Sequence, residues 1–580
     1  LLWLVLAPRT PDLAAAAYRL NLFEHLGFAV YDEHWYGGHE LPGYSVLFPP
    51  TAWLLGLRAV GALSALVSTL CFERIAVAVY GRSARWASIP FALAAVGDVW
   101  IGRLAFALGL SFALAAVLAL VGGEGASRTD EAAGGHGAGS SRGVRGAREA
   151  GSALGAAAWR PVAAALLAAM SAAASPVAGV LLALAALSES LWRRSPRMLL
   201  VLGLPALVVA LALGGLFPEG GSEPYPTVSF LATVAVVAAF TAALPREHGR
   251  LRLAAGVYLL ACVFFLLVST PMGSNVERYG VLLAGPLLVC AVAAGHTARR
   301  EAGAGGSTAG AASSAAGGGG PGRGEGAQAG VAGKTWRGST IVLPALAFAL
   351  WAVWAGWGPV RETLAVAGSP ATNGAYYAPV ERFLDAHAPG PVRIEVPLTR
   401  THWETAELAP RVSLARGWEK QLDERYNAVL LSPGLNAASY ERWLHQQAVS
   451  YVALPAVQLD PSSAREGELI RSGLPYLRLV YSSRHWRIYA VRAPTPLVSG
   501  PGRVTELGHD SLSLQADAPG SLLVRVRWTP YWAITSGAGC VQRGPGGWTR
   551  VDVARRGPLQ LRASFSLGRA FGAGRSCRSG

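Results

Sequence analysis

Long uninterrupted apolar runs constrain this chain more than any other feature. They fall at 57–80, 86–102, 104–121, 160–175, 176–192, 198–217, 227–244, 251–268, 280–296 and 338–358. Each approaches the roughly 20 residues a helix needs to cross a bilayer. Leu1 to Ala7 reads as the tail of a truncated first span, since it lacks the basic start and cleavage site of a signal peptide. With it, the expected total is about 11 spans. Only 15% of the 580 residues are charged, against roughly 25% in a soluble domain. That excludes a soluble enzyme, a disordered chain and a small disulfide-knotted domain. The net charge of +15 does not imply nucleic acid. Lysine occurs only at Lys334 and Lys420, and much of the arginine lies in short loops and linkers.

Arginine orients the spans. Loop 193–197 carries Arg193, Arg194 and Arg197, and loop 245–252 carries Arg246, Arg250 and Arg252. Linkers 122–159 and 297–337 are also basic, whereas 218–226 has no Lys or Arg and 269–279 has only Arg278. Helix parity puts the basic segments on one side, the cytoplasm. Residues 8–45, 97–103, 218–226, 269–279 and everything after 359 then lie outside. The two linkers are rich in Gly, Ala and Ser and are expected to be disordered.

The expected fold class is mainly α: a polytopic helical membrane domain followed by an extracytoplasmic α/β plus β-sandwich region. The membrane domain covers 1–296, a linker 297–337, and the last transmembrane helix 338–358. An α/β domain follows over 359–496, where mixed runs such as Val392–Val396 and Tyr451–Leu454 read as strands. Short alternating strands, such as Leu522 to Arg527, mark a β-sandwich over 497–580. Of the five cysteines, Cys71, Cys262 and Cys290 sit in apolar runs. Cys540 and Cys577 are outside the spans, and an oxidising compartment would let them pair.

The first outer segment holds the densest chemistry. Thr10-Pro11-Asp12 opens an amphipathic run through Leu26, expected to lie in the membrane interface. Then come Tyr31-Asp32-Glu33-His34-Trp35-Tyr36-Gly37-Gly38-His39-Glu40 and a closing Phe48-Pro49-Pro50. This order resembles the bacterial membrane glycosyltransferases of the GT-C fold class. The resemblance implies a polyprenyl-phosphate-linked sugar donor, an envelope acceptor and an acidic residue in the first outer loop. Asp12 matches that residue, and Asp98 occupies a loop where such enzymes can carry a second acid. Both are candidate catalytic groups, with Asp12 as base. A capping reading, in which Thr10 caps the helix and Asp12 suits its dipole, is compatible.

Asp32, Glu33, His34, Trp35, Tyr36 and His39 are candidate substrate-binding residues, for sugar hydroxyls or a divalent cation, although the spacing fits no specific metal motif. The metal and cofactor requirement stays open. Arg103, Arg278 and Glu223 face the same side, and a guanidinium suits a donor phosphate. His402-Trp403-Glu404, Arg416-Gly417-Trp418-Glu419 and His485-Trp486-Arg487 suit either sugar stacking or an ordinary core. The expected function is transfer of a sugar at the bacterial plasma membrane. The alternative is a non-catalytic protein that binds or transports envelope lipid or polysaccharide, which should carry ionisable residues at mid-membrane on facing helices.

Overall fold

The computed structural model describes residues 2–6, 8–133, 145–218, 220–313, 339–571 and 577. The membrane part begins with α1 (Leu2–Leu6), α2 (Pro11–Leu26), α3 (Phe48–Leu55), α4 (Leu57–Tyr80), α5 (Ser88–Ile101) and α6 (Leu104–Ala133). It continues with α7 (Arg145–Ala174), α8 (Pro176–Arg193), α9 (Leu204–Leu216), α10 (Thr227–Ala243), α11 (Gly249–Leu267), α12 (Glu277–Ser313) and α13 (Ser339–Val366). Among the described residues seven helical segments are long and apolar enough to cross a membrane, and segments 159–174 and 227–243 are shorter apolar helices. The remaining expected spans, at α1 and α5, are shorter than a bilayer crossing requires.

These helices turn large apolar side chains outward. Leu211, Val228, Leu260 and Val353 are all exposed, which water would penalise and lipid tails do not. Between helices the contacts use small residues. Ala164, Ala168 and Ala172 recur every fourth position on α7 and are fully buried. Their small side chains let α7 approach α6 and α9 closely.

The helices flanking both linkers run into them, α6 to Ala133, α7 from Arg145 and α12 to Ser313. The rest of these linkers, 134–144 and 314–338, where disorder is expected, lies outside the described residues.

After α13 the chain builds two β-containing units. The first contains α14 (Ala378–His387), α15 (Glu404–Glu407) and the strands β3 (Arg393–Glu395), β4 (Ser413–Leu414), β5 (Val449–Pro455), β6 (Leu477–Ser482) and β7 (Trp486–Val491). Its sheet runs β4-β3-β5-β7-β6, with β3 parallel to both neighbours. Numbering begins at β3 because β1 (Tyr31–Asp32) and β2 (His39–Glu40) form a small antiparallel ribbon in the first outer segment. The second unit has two four-stranded antiparallel sheets, β12-β15-β10-β9 and β13-β14-β11-β8. These strands span Val498–Ser499 (β8), Gly502–Leu507 (β9), Ser511–Ala516 (β10), Gly520–Arg527 (β11), Trp532–Ser536 (β12), Gly539–Arg543 (β13), Trp548–Val553 (β14) and Gly557–Ala563 (β15). Leu512, Leu514, Leu522, Val524, Leu559 and Leu561 alternate along their strands and fill one core between the sheets. Cys540 on β13 is disulfide-bonded to Cys577, with Cα atoms 5.1 Å apart.

Helix α2 is packed between the membrane helices and the C-terminal part. Leu13, Ala14, Ala15, Ala16, Tyr18 and Leu22 are buried around most of its circumference. One side packs on α3, α5 and α6, and another on α15 of the C-terminal part. Small alanines allow both neighbours to approach, so the helix is enclosed between two domains.

Candidate functional site

The site begins at the end of α5. Gly102 follows with a positive φ of 103°, and the Arg103 amide donates to the Asp98 carbonyl at 3.1 Å. This left-handed stop reverses the chain. It also sends the Arg103 side chain back along the last turn, where Nη1 donates to Asp98 Oδ1 at 3.2 Å. Helix α2 arrives from the other side. Thr10 occupies its N-cap position, yet its side chain caps nothing. The hydroxyl instead donates to the Trp100 and Ile101 carbonyls at 3.1 and 2.8 Å, satisfying groups left over at the end of α5. That bond draws the start of α2 onto Gly102. A Cβ there would stand 2.8 Å from Leu13 Cα and 2.9 Å from the Asp12 carbonyl carbon, so only glycine allows the approach. Asp12 then meets Arg103 Nε through Oδ2 at 3.2 Å.

Two expected acids are therefore held on either side of one guanidinium. Their exposures differ: the Asp12 side chain is 34% exposed and Asp98 only 4%. Asp98 Oδ2 is buried without a partner among the described residues. Arg278, near the start of α12, lies within electrostatic reach of Arg103, Asp98, Asp12 and Tyr44. Its guanidinium sits over the Phe106 ring at 4.8 Å, and Nη2 donates to Asn275 Oδ1 at 2.5 Å. Its Nε is buried and has no partner among the described residues. Two carboxylates bridged by one guanidinium, with a second guanidinium close by, offer donors to a phosphate and oxygens to a divalent cation. Among the described residues the group with three potential metal ligands in reach is Cys540, Asp552 and Cys577, whose sulfurs are joined to each other.

The loop around β1 and β2 is not an open binding surface. Asp32, Glu33, His34, Trp35, Tyr36 and His39 are all 5% exposed or less. Asp32 accepts from Tyr18 Oη at 2.9 Å, from the His34 amide at 3.1 Å and contacts His509 Nδ1 at 2.8 Å. Burial raises its pKa, but the hydrogen bond and charge of His509, with His39 and His34, outweigh that and hold it at about 2. Glu33 pairs with Arg393 Nη2 at 2.5 Å and accepts from Ser413 at 2.9 Å. Burial nevertheless pushes Glu33 up to about 7. His34 and His39 are each pushed down to about 4, chiefly by burial. Trp35 Nε1 donates to the Thr405 carbonyl at 2.9 Å, and the Tyr36 hydroxyl donates to the Glu419 carbonyl at 2.9 Å. Most of these polar groups bond into the C-terminal domains, while Glu33 Oε2 and His39 Nε2 are buried without a partner among the described residues. Enclosure by residues 393–419 and 507–527, far away in sequence, makes this segment a buried joint between the two parts of the chain.

Glu223 also joins segments. Its Oε1 accepts from Ser274 Oγ at 3.1 Å and lies 3.5 Å from Lys420 Nζ, tying two outer turns to the α/β unit. Trp486 is fully buried, and its Nε1 donates to the Tyr376 carbonyl at 2.7 Å, so Trp486 is core, while His485 is half-buried and Arg487 exposed. Sequence reading passed over Thr10 as a tether, Gly102, and Arg393. A glycine directly after the apolar run that ends at Ile101 was the available signal for the second of these.

No family model matches the chain, and no curated protein matches it. Among solved structures, ArnT from Cupriavidus metallidurans in the apo state is 13% identical, with a TM-score of 0.39, covering 83% of this chain and 93% of that one. The arabinofuranosyltransferase AftD from Mycobacteria is 14% identical, with a TM-score of 0.42, covering 98% of this chain and 57% of that one. The chain thus spans little more than half the length of AftD.

Proposed function

We propose that this chain is a membrane glycosyltransferase of the GT-C type, moving a sugar from a polyprenyl-phosphate carrier to an acceptor of the bacterial cell envelope. The observation that carries the reading is the pair Asp12 and Asp98 joined through Arg103, with Arg278 beside them, where α2, α5, α6 and α12 meet. In this reading Asp12, the more open carboxylate, takes the proton from the acceptor hydroxyl as that oxygen attacks the anomeric carbon. The bond from the anomeric carbon to the phosphate oxygen breaks, and the phosphate leaves with the electron pair. Arg278 and Arg103 offset the charge that grows on the leaving phosphate. Asp98, nearly buried, holds Arg103 in place. The apolar helix surfaces take the lipid tail. The arginine-rich loops and the Cys540–Cys577 disulfide support the C-terminal domains being extracytoplasmic.

A carrier of lipid or polysaccharide would place ionisable groups at mid-membrane, whereas this cluster sits at helix ends. The test is transfer from polyprenyl-phospho-sugars by the purified protein at matched expression. Asp12→Asn should lower turnover by about 100-fold or more, the usual size of a general-base effect. Asp98→Asn should cost less, because it acts through Arg103. Near-wild-type transfer by Asp12→Asn would remove it from the chemistry. Failure of the wild type with every donor would favour the lipid-handling alternative.

A further inference from the structure

We infer that Trp403 and Glu407 of the C-terminal α/β unit are positioning residues for Asp12, so that the far end of the chain completes the site in the first outer segment. The inference rests on the proposed role of Asp12 and extends it to residues nearly 400 positions away. Its geometry lies at Arg9, three residues before Asp12. The Trp403 indole nitrogen donates to the Arg9 carbonyl at 2.9 Å. The Arg9 guanidinium lies over the Trp403 ring at 3.5 Å and also pairs with Glu407 on α15. Backbone and side chain of Arg9 are thus held by one short segment.

A shift at Arg9 reaches Asp12 with little loss. Pro11 at the first helical position fixes its own φ, and Asp12 belongs to the first rigid turn that follows. The other anchor of this stretch is the Thr10 hydroxyl on α5, which sets its distance from Gly102 and leaves the sideways position to Arg9. The same unit grips α2 again further along. Glu419 pairs with Arg19, and its amide and carbonyl both bond the Tyr36 hydroxyl, at 2.8 and 2.9 Å. With two grips on one face and α5 and α6 on the other, the C-terminal unit decides where the Asp12 carboxylate stands relative to Arg103. Trp403 itself is 5% exposed and stacked under Arg9, so its contacts are with the protein.

The experiment compares Trp403→Ala, Trp403→Phe and Glu407→Gln in the full-length protein, reading kcat and KM for donor and acceptor and backbone hydrogen exchange over residues 8–16. Trp403→Ala should lower kcat by roughly 10- to 100-fold with both KM values within about twofold, as a sub-ångström misplacement of a reacting group does. Exchange over 8–16 should quicken. Trp403→Phe keeps a ring under Arg9 but loses the donor to its carbonyl, and should recover part of the loss. Glu407→Gln, at a half-buried position, guards against a Trp403→Ala variant that fails to fold and should give a smaller fall in kcat of the same kind. A kcat per folded molecule within about twofold of wild type in both Trp403→Ala and Glu407→Gln would overturn the inference. So would a loss confined to KM, which would put Trp403 against substrate. If the wild type transfers no sugar, the glycosyltransferase reading fails separately. The clasp then stands or falls on exchange alone, with faster exchange over 8–16 supporting it and unchanged exchange refuting it.

Discussion

Replacing Gly102 by alanine tests the site geometry most directly, because it touches no charged group. Gly102 has a φ of 103°, a conformation that costs a side-chain-bearing residue about 1–3 kcal/mol. The added Cβ would stand 2.8 Å from Leu13 Cα and 2.9 Å from the Asp12 carbonyl carbon, and closer still to the Leu13 amide nitrogen. All three are backbone atoms of α2, so no side chain can swing away. Restoring ordinary contact requires α2 to back off by about 1 Å, a displacement that costs a reacting group on the order of 100-fold in rate. The Asp12–Arg103 contact, now 3.2 Å, would stretch past hydrogen-bond range. The assay is sugar transfer per folded molecule, with folded protein quantified by thermal unfolding in detergent. Turnover should drop by about 100-fold while the melting transition is retained. In a chain that already carries Asp12→Asn, Gly102→Ala should add little further loss, since both changes act on one carboxylate. Full activity of Gly102→Ala, or an undiminished second loss in the double variant, would refute the argument that Gly102 acts by letting Asp12 approach.

Other consequences follow from the buried joint. His34 and His39 titrate at about 4 when folded and near 6.5 when unfolded, so the unfolded chain binds more protons across that range. By themselves these two histidines would weaken docking of the C-terminal domains as pH falls from about 6.5 to about 4, by up to about 3 kcal/mol each. Asp32 adds to the loss from about 4 down to about 2. His509, which burial would lower but Asp32 raises, opposes this trend, and so do Glu33 and Glu40, each pushed up to about 7 by burial, so the upper part of the range is nearly balanced. Protection factors at 507–511, corrected for the intrinsic slowing of amide exchange toward acid, should change little between about pH 6.5 and 4.5 and fall below about pH 4, where Asp32 is protonated, and a fall confined to the upper range would contradict the assignment. Arg393→Met leaves Glu33 buried without its ion-pair partner and should destabilise by roughly 3–5 kcal/mol, and combining it with Glu33→Gln should recover part of that, as read by thermal unfolding. Thiol titration of the denatured, unreduced protein should find three free thiols, from Cys71, Cys262 and Cys290, and a count of five would refute the Cys540–Cys577 bridge.

Much of the architecture was legible because its cause is local. A bilayer-spanning helix is specified by a run of apolar residues, so α4 (Leu57–Tyr80), α8 (Pro176–Arg193) and α10 (Thr227–Ala243) begin and end within a residue or two of the runs that announced them. Alternation with period two marked β10, β11 and β15 in the same way. Asp12 and Asp98 were recognisable as candidates from their places beside span ends. Their meeting through Arg103 was not, because it depends on a left-handed turn at Gly102 and on a threonine that bonds a neighbouring helix instead of capping its own.

The loop from Tyr31 to Glu40 shows the boundary most clearly. Its composition of acids, histidines, aromatics and glycines reads as a solvated binding loop, and within ten residues nothing distinguishes that from a buried joint. The difference is made by Arg393, Ser413, Glu419 and His509, which supply partners for Glu33, Tyr36 and Asp32. Sequence alone determined which segments enter the membrane and which form sheets, since both follow from the hydrophobicity and spacing of neighbours along the chain. Tertiary structure alone decided which polar groups stay free for chemistry. A side chain's hydrogen-bonding capacity is consumed by whatever surrounds it, and here the surroundings arrive from 350 or more residues away.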